Sequence, residues 1–356
     1  MRIESIQVRP MDLRLQTPLT VAYGSYPVLE YALLEIKTDT GLVGLGEASP
    51  DPEVTGETRA GVVAALESFG ELLRGMDPFD VEPALALCRE AAPAVPAALA
   101  AADMALRDLA GKAAALPVYR MMGGAFRREL ALYPVVPMDS PVAMADLTSS
   151  FAGLGYSILK VKLGSDPDLD VRRIEAVRRA ARPGTRLRLD INQGWKDAGT
   201  SLGVIRSLDR SDIDWIEQPV AAEDLDGLAE VKSGVDIPVM ADESCHGPED
   251  VLRIVRTNAA DMINIKLMKC GGIGSALRML AIAEAAGLRC ILGSMGESSI
   301  GSAAGLHLGI SQSWLEAFEI IGPLFITNDP ARGFDVDLEG LRVRPTDLPG
   351  LGVALR

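Results

Sequence analysis

The stretch Arg186-Leu187-Arg188-Leu189-Asp190-Ile191-Asn192 is a short strand-like run that ends on an acid, and its pattern recurs along the second half of the chain. Working outward from it, residues 158–163 carry Lys160 and Lys162, 213–218 carry Glu217, 237–243 carry Asp242, 262–268 carry Lys266 and 289–295 carry Ser294. From Lys162 through Asp190, Glu217, Asp242 and Lys266 to Ser294 the intervals are 28, 27, 25, 24 and 28 residues. Each holds one strand, one helix and two loops, which is the period of a parallel β/α barrel. Residues 130–136 and 315–321 complete a set of eight predicted strands. The C-terminal strand ends of such a barrel meet at one mouth, where active sites are built, so these charged residues are expected to be neighbours.

Helices are predicted between the strands at 168–181, 224–231, 248–257 and 273–286, the last closed by Gly287 as a C-cap. The barrel period is absent upstream. Residues 2–50 read as a β-meander whose turn is Thr38-Asp39-Thr40-Gly41, and residues 59–116 read as Ala-rich helices broken at 75–78 and at Pro93 and Pro96. The expected organisation is an α+β unit over 1–125, a barrel over 126–324 and a Gly/Pro-rich segment over 325–356 that returns to the first unit.

The chain has 356 residues, 48% of them hydrophobic and 24% charged, an ordinary globular balance. Its formal charge of −14 argues against nucleic acid or anionic lipid as partners, since both need a basic footprint. The four cysteines, Cys88, Cys245, Cys270 and Cys290, form no C-x-x-C pair and read as reduced thiols. No basic, then apolar leader opens the chain, and charges interrupt every apolar stretch, so a cytoplasmic protein without a membrane segment is expected.

Asp190, Glu217 and Asp242 would repel one another at one mouth unless a cation sat between them. Oxygen-only ligands favour Mg²⁺, which can leave a coordination position to a substrate carboxylate. Lys160 and Lys162 alternate with apolar residues in Leu159-Lys160-Val161-Lys162-Leu163, so both point to one face of their strand, the barrel interior. Lys266 lies four strands further on, across the ring. Two lysines facing each other over a bound substrate suggest proton removal on one face and return on the other. Only two histidines occur: His307 lies in a helical run and reads as packing, and His246 follows the Asp242 strand into a loop near the mouth. Gly271-Gly272-Ile273-Gly274 opens a helix and could hold an anion there.

Taken together, Lys160-Val161-Lys162, Asp190-Ile191-Asn192-Gln193-Gly194-Trp195, Glu217-Gln218-Pro219, Asp242-Glu243-Ser244 and Ile263-Asn264-Ile265-Lys266-Leu267-Met268-Lys269 resemble the muconate-lactonizing subgroup of the enolase superfamily. Within it the likeness is to dipeptide epimerases, carried also by Glu47-Ala48-Ser49-Pro50 and Gly293-Ser294-Met295-Gly296-Glu297-Ser298. The resemblance implies a modified TIM barrel of (β/α)7β form under an N-terminal α+β capping domain. It implies Mg²⁺ on Asp190, Glu217 and Asp242, with Asn192 and Glu243 supporting them. Lys162 and Lys266 become the acid/base pair, with Lys160 assisting electrostatically. Ser294, Glu297, Glu319, Ile321 and Lys160 are implied to contact the substrate, and a homo-oligomer is implied.

Three positions depart from epimerases of the Ala-Glu type. Their Asp-x-Asp pair on the last barrel strand, which holds the dipeptide ammonium, is Glu319-Ile320-Ile321 here, the Arg of the first capping loop is Gly24, and a Thr on the first barrel strand is Pro134. The expected activity is therefore racemisation or epimerisation α to a carboxylate, on a dipeptide of another type. The alternatives are a muconate-type cycloisomerase, an o-succinylbenzoate synthase or an N-acylamino acid racemase on the same scaffold. A catalytically silent barrel is disfavoured by the complete set of acids and lysines.

Overall fold

A computed structural model describes residues 1–208 and 212–356. The chain opens with an antiparallel sheet of β1 (Ile3–Val21), β2 (Gly24–Thr38) and β3 (Val43–Ala48). The β2–β3 turn falls at Thr38–Gly41, where Gly41 takes φ +82° and its N–H donates to the Thr38 carbonyl at 2.9 Å. Three helices follow, α1 (Arg59–Leu73), α2 (Val81–Ala91) and α3 (Pro96–Ala114), and then the single turn α4 (Val118–Met121). The Thr58 side chain caps α1 by accepting from the Gly61 N–H. Helix α3 lies so close on the sheet that a Cβ at Gly46 would stand 2.0 Å from the Ala101 carbonyl oxygen, so β3 needs glycine there.

The second unit is a curled sheet of eight parallel strands in chain order: β5 (Val135–Val136), β6 (Ile158–Lys162), β7 (Arg186–Asp190), β8 (Ile213–Glu217), β9 (Val239–Ala241), β10 (Met262–Ile265), β11 (Arg289–Leu292) and β12 (Leu315–Phe318). Between successive strands run α5 (Pro141–Gly153), α6 (Pro167–Ala180), α7 (Ala198–Ser207), α8 (Leu225–Ser233), α9 (Pro248–Thr257), the turn α10 (Leu267–Cys270) with α11 (Ile273–Ala286), and α12 (Ser299–Ser311). This is the expected (β/α)7β barrel. Gly287 closes α11 in the left-handed conformation, as its position predicts.

Three expectations need correction. Residues 130–136 are not one strand: β4 (Leu130–Ala131) leaves the barrel sheet and pairs with a hairpin of the C-terminal segment, and only β5 lines the barrel. Pro134, which has no N–H, stands at the break, and its carbonyl accepts from the Lys160 N–H. Residues 262–268 are likewise not one strand, because the backbone turns at Lys266 into α10. The N-terminus of α11 is no anion site, since the carboxylate of Asp103 on α3 accepts from the Gly274 N–H at 3.1 Å.

The tail forms β13 (Ala331–Arg332), β14 (Val336–Asp337), β15 (Arg342–Val343) and β16 (Ala354–Leu355). It contacts both units: β15 pairs with β4, whereas the Leu351 N–H donates to Asp108 of α3 at 2.8 Å. Among the described residues no helix is long and apolar enough to cross a membrane, and all four cysteines are free and buried.

Glu47 on β3 locks the first unit onto the barrel. Its carboxylate accepts from the Ser298 N–H at 2.9 Å, the Gly301 N–H at 3.0 Å and the Ser298 hydroxyl at the start of α12, and from the hydroxyl of Ser49 just after β3. Burial outweighs these donors and raises its pKa to about 7. A carboxyl whose pKa is about 4.5 when unfolded and about 7 when folded binds more protons in the folded state. Its contribution is therefore complete below pH 4.5 and fades up to pH 7. Measured by urea unfolding, the stability of the wild type relative to Glu47→Gln is expected to fall by roughly 3 kcal/mol across that window. A flat difference would remove Glu47 from the pH dependence.

Candidate active site

The strand-end charges converge as the period predicts. Lys160 and Lys162 from β6, Asp190 from β7, Glu217 from β8, Asp242 after β9 and Lys266 after β10 form one network at the barrel mouth. The Lys162 ammonium donates to Asp190 Oδ2 at 2.7 Å and to Asn192 Oδ1 at 3.1 Å, whereas Lys266 donates to Asp242 Oδ2 at 2.7 Å. Three strands separate β6 from β10 whichever way the eight-strand ring is followed, so Lys162 and Lys266 stand on opposite sides. Lys160, buried one layer below, lies 2.8 Å from Asp190, Glu217 and Glu319 alike.

Electrostatics divides the three acids. Burial would raise Asp190, but Lys160 and Lys162 overrule it and hold its pKa at about 2. Burial likewise opposes ionisation of Asp242, yet Lys266 and Lys269 keep it well below the usual carboxylate range. Glu217 goes the other way: burial first and then the charge of Asp190 push it well above its ordinary value. Burial disfavours the Lys266 ammonium, but Asp242 and Glu243 more than restore it and raise its pKa.

The loops behind these side chains are tightly constrained. Asn192 and Gln193 take φ of +44° and +68°, and Gln218 takes +38°, left-handed values that non-glycine residues rarely adopt. A Cβ at Gly194 would stand 1.9 Å from the Gly164 carbonyl oxygen, so the loops after β6 and β7 touch backbone to backbone. Gln218 braces the next loop: its side-chain oxygen accepts from the Asp242 and Ser244 N–H groups at 2.9 and 3.1 Å.

A hard divalent ion fits this donor set. Asp190, Glu217 and Asp242 present carboxylate oxygens only, and the Glu243 Oε2 beside them is buried with no hydrogen-bond partner, while Oε1 takes the Asn192 amide at 3.0 Å. Among the described residues no three acid, histidine or cysteine side chains are gathered into a ready-made metal cage. Each of the three carboxylates is instead paired with a lysine ammonium within 2.8 Å.

The remaining sequence-selected residues divide. Asn192 donates its N–H to Asp190 Oδ1 at 3.1 Å and its side-chain amide to Glu243, whose pKa burial and then the charges of Asp242 and Asp190 raise to about 7. Ser294 donates to the Glu319 carbonyl at 3.0 Å, and Glu297 accepts from the Met295 N–H at 3.0 Å with its Oε2 buried and unpartnered. Glu319, expected to meet substrate, instead spends its carboxylate on Lys160 and on the Tyr133 hydroxyl, at 2.8 and 2.7 Å. Ile321 is buried beside it. His307 is packing: it is buried in α12, stacks on Tyr119 and accepts the Tyr119 N–H at 3.2 Å. His246 follows Asp242 into the loop, where its N–H donates to Asp250 at 2.9 Å and burial together with the charge of Lys269 lowers its imidazole pKa, against the opposing charge of Asp242.

Sequence reasoning missed four residues. Lys269 is fully buried and ion-paired with Asp242 at 2.5 Å, and Asn264 donates to Glu217 at 2.8 Å. Tyr133 holds Glu319. Tyr23, at the tip of the β1–β2 hairpin, lies near enough to the mouth that burial, Asp51, Glu243, Asp242 and Asp190 together raise its pKa. The polar residues Asn264 and Lys269 inside the apolar run after residue 262 were the available signal.

Two family models match this chain. One, described as the mandelate racemase / muconate lactonizing enzyme N-terminal domain, covers residues 3–123, and the other, enolase C-terminal domain-like, covers 143–356. The chain belongs to the enolase superfamily. Within that superfamily it is 37% identical to the N-succinyl-L-Arg/Lys racemase of Bacillus cereus, over 100% of this chain and 96% of the relative. It is also 37% identical to the hydrophobic dipeptide epimerase of Enterococcus faecalis, over 99% and 100%. The crystal structure of the Bacillus cereus racemase superposes with a TM-score of 0.97, covering 100% of this chain and 96% of that one. The Enterococcus faecalis epimerase with Mg and the dipeptide L-Leu-L-Tyr superposes at 0.95 and 36% identity, covering 99% and 100%.

Proposed function

We propose that this superfamily member is an isomerase that inverts the carbon α to a carboxylate, using Lys162 and Lys266 as its two bases and Mg²⁺ as its metal. The observation that carries the reading is the placement of these two ammonium groups on opposite sides of the Asp190, Glu217, Asp242 set. Either lysine, once neutral, can take the α-proton from its own face. The ammonium opposite then delivers a proton to the other face, so configuration inverts and each lysine ends in its partner's starting state. Mg²⁺ held by Asp190, Glu217 and Asp242 supplies positive charge against the substrate carboxylate. Lys160 adds a fixed positive charge beneath it, and the network of buried hydrogen bonds keeps these charges oriented before substrate arrives.

The substrate class is an α-amino carboxylate whose nitrogen is acylated, a feature shared by dipeptides and N-succinyl amino acids. Residues 1–125 act as a cap that closes over the barrel of 126–324, with Tyr23 and Gly24 at its tip. Gly24 offers no cation to an anionic side chain, so Ala-Glu type dipeptides are poor candidates. Ile321 offers no charge to an ammonium and the Glu319 carboxylate is engaged by Lys160 and Tyr133, which favours an N-acyl group without an ammonium over a free dipeptide amine.

The test is deuterium exchange. Wild-type protein in deuterium oxide with Mg²⁺ is expected to incorporate one deuterium at the α-carbon of recovered N-acyl amino acid, with inversion, as read by mass spectrometry and chiral separation. Chelation should stop exchange and Mg²⁺ should restore it. Turnover of a muconate-like diacid, with no exchange in any N-acyl amino acid or dipeptide, would sink the proposal.

A further inference from the structure

Glu319 sits where a substrate contact was expected, yet its whole carboxylate is committed inward. Oε2 accepts from the Lys160 ammonium at 2.8 Å and Oε1 from the Tyr133 hydroxyl at 2.7 Å, with Glu319 only 7% exposed. Tyr133 is itself immobilised. The Arg188 guanidinium lies 4.0 Å above its ring and 4.2 Å from the ring of Trp215, and is ion-paired with Asp214 at 3.0 Å. A cation between two aromatic faces in a desolvated site is a strong and directional contact. Tyr133, Arg188 and Trp215 are all under 10% exposed. The barrel floor thus holds a continuous chain, Trp215–Arg188–Tyr133–Glu319–Lys160, that ends on a residue of the proposed catalytic network.

We propose that Glu319 and Tyr133 are positioning residues for Lys160. This inference rests on the reading of Lys160 as the fixed charge beneath the substrate carboxylate. Lys160 has three carboxyl neighbours at 2.8 Å, and two of them, Asp190 and Glu217, are also the oxygens a divalent ion would claim. Glu319 alone belongs to Lys160 throughout. It keeps the ammonium low in the barrel, screens it from a metal ion above, and so lets two cations share one carboxylate pair. Tyr133 fixes which way the Glu319 carboxylate faces, and Arg188 fixes the ring that carries that hydroxyl.

The test uses Glu319→Gln, Glu319→Asp and Tyr133→Phe, each in the full chain. Removing a partner that orients a metal-site residue typically costs 10- to 100-fold in affinity or activity. Glu319→Gln is expected to weaken Mg²⁺ binding, read by calorimetry, by roughly tenfold, because Lys160 loses its private counter-charge. In both Glu319→Gln and Tyr133→Phe, kcat should fall by roughly 10- to 100-fold with KM within a few-fold, for N-acyl substrates and for dipeptides with a free amine alike. Glu319→Asp keeps the charge but loses one methylene of reach, so it should recover Mg²⁺ affinity more fully than kcat. If Glu319→Gln instead raises KM for free-amine dipeptides alone, with Mg²⁺ affinity and Tyr133→Phe unchanged, Glu319 is a substrate ligand and the proposal fails. Calorimetry needs no turnover. A wild type that exchanges no α-proton in any N-acyl amino acid or dipeptide would therefore overturn the proposed function, and unchanged Mg²⁺ affinity in Glu319→Gln would overturn this inference.

Discussion

Lys266→Ala is expected to lower racemisation by roughly 10²–10⁴-fold, the range that a positioned acid/base group contributes. The loss should be one-sided in exchange. A substrate hand whose α-proton faces Lys162 can still give up that proton, and Lys162, after trading it for deuterium with solvent, can return deuterium to the same face. That hand is expected to exchange without inverting. The opposite hand presents its proton to the missing lysine and should not exchange. Lys162→Ala should give the mirror outcome, each read by proton NMR of the α-position in deuterium oxide on single enantiomers. Mg²⁺ affinity of Lys266→Ala should persist, since Asp242 keeps Lys269 at 2.5 Å. Survival of inversion in either variant would refute the two-base assignment.

Asp242→Asn is expected to be the most destabilising single change in the site. Asp242 stands between Lys266 at 2.7 Å and Lys269 at 2.5 Å, and the Lys269 side chain has no exposure at all. The amide removes the one carboxylate that Lys269 contacts among the described residues and leaves it two backbone carbonyls, those of Asp242 and Asn264. Orphaning a buried charge of this kind costs about 3–5 kcal/mol. Urea unfolding should show it as a shifted midpoint at constant slope. The double variant Asp242→Asn with Lys269→Met should regain much of the loss, since methionine fills the stem volume without a charge. A double variant no more stable than the single one would locate the loss elsewhere, for instance in the loop that Gln218 braces through the Asp242 N–H.

Lys269 also shows why part of the site was hidden. Reading residues 262–268 as an uninterrupted strand places Lys266 and Met268 on one face and Lys269 on the other. The chain instead turns at Lys266, and the Lys269 N–H donates to the Lys266 carbonyl at 3.1 Å, so the next turn swings Lys269 back toward Asp242. Periodicity cannot report a change of period within one or two residues. The first barrel strand misled for a related reason. Leu130 and Val136 look alike in sequence, yet Leu130 pairs with Val343, more than two hundred residues away, and Val136 pairs with Val161.

The sequence by itself determined the barrel, its strand order and which charges gather at its mouth. Strand and helix patterns are local, and a parallel barrel sends every strand end to the same rim, so the interval between Lys162, Asp190, Glu217, Asp242 and Lys266 was enough. Tertiary structure alone decided how those charges are partnered. Whether Glu319 looks up at substrate or down at Lys160 depends on Tyr133 one strand away and on Arg188 and Trp215 in the layer beneath, contacts set by the closure of the ring rather than by any spacing along the chain.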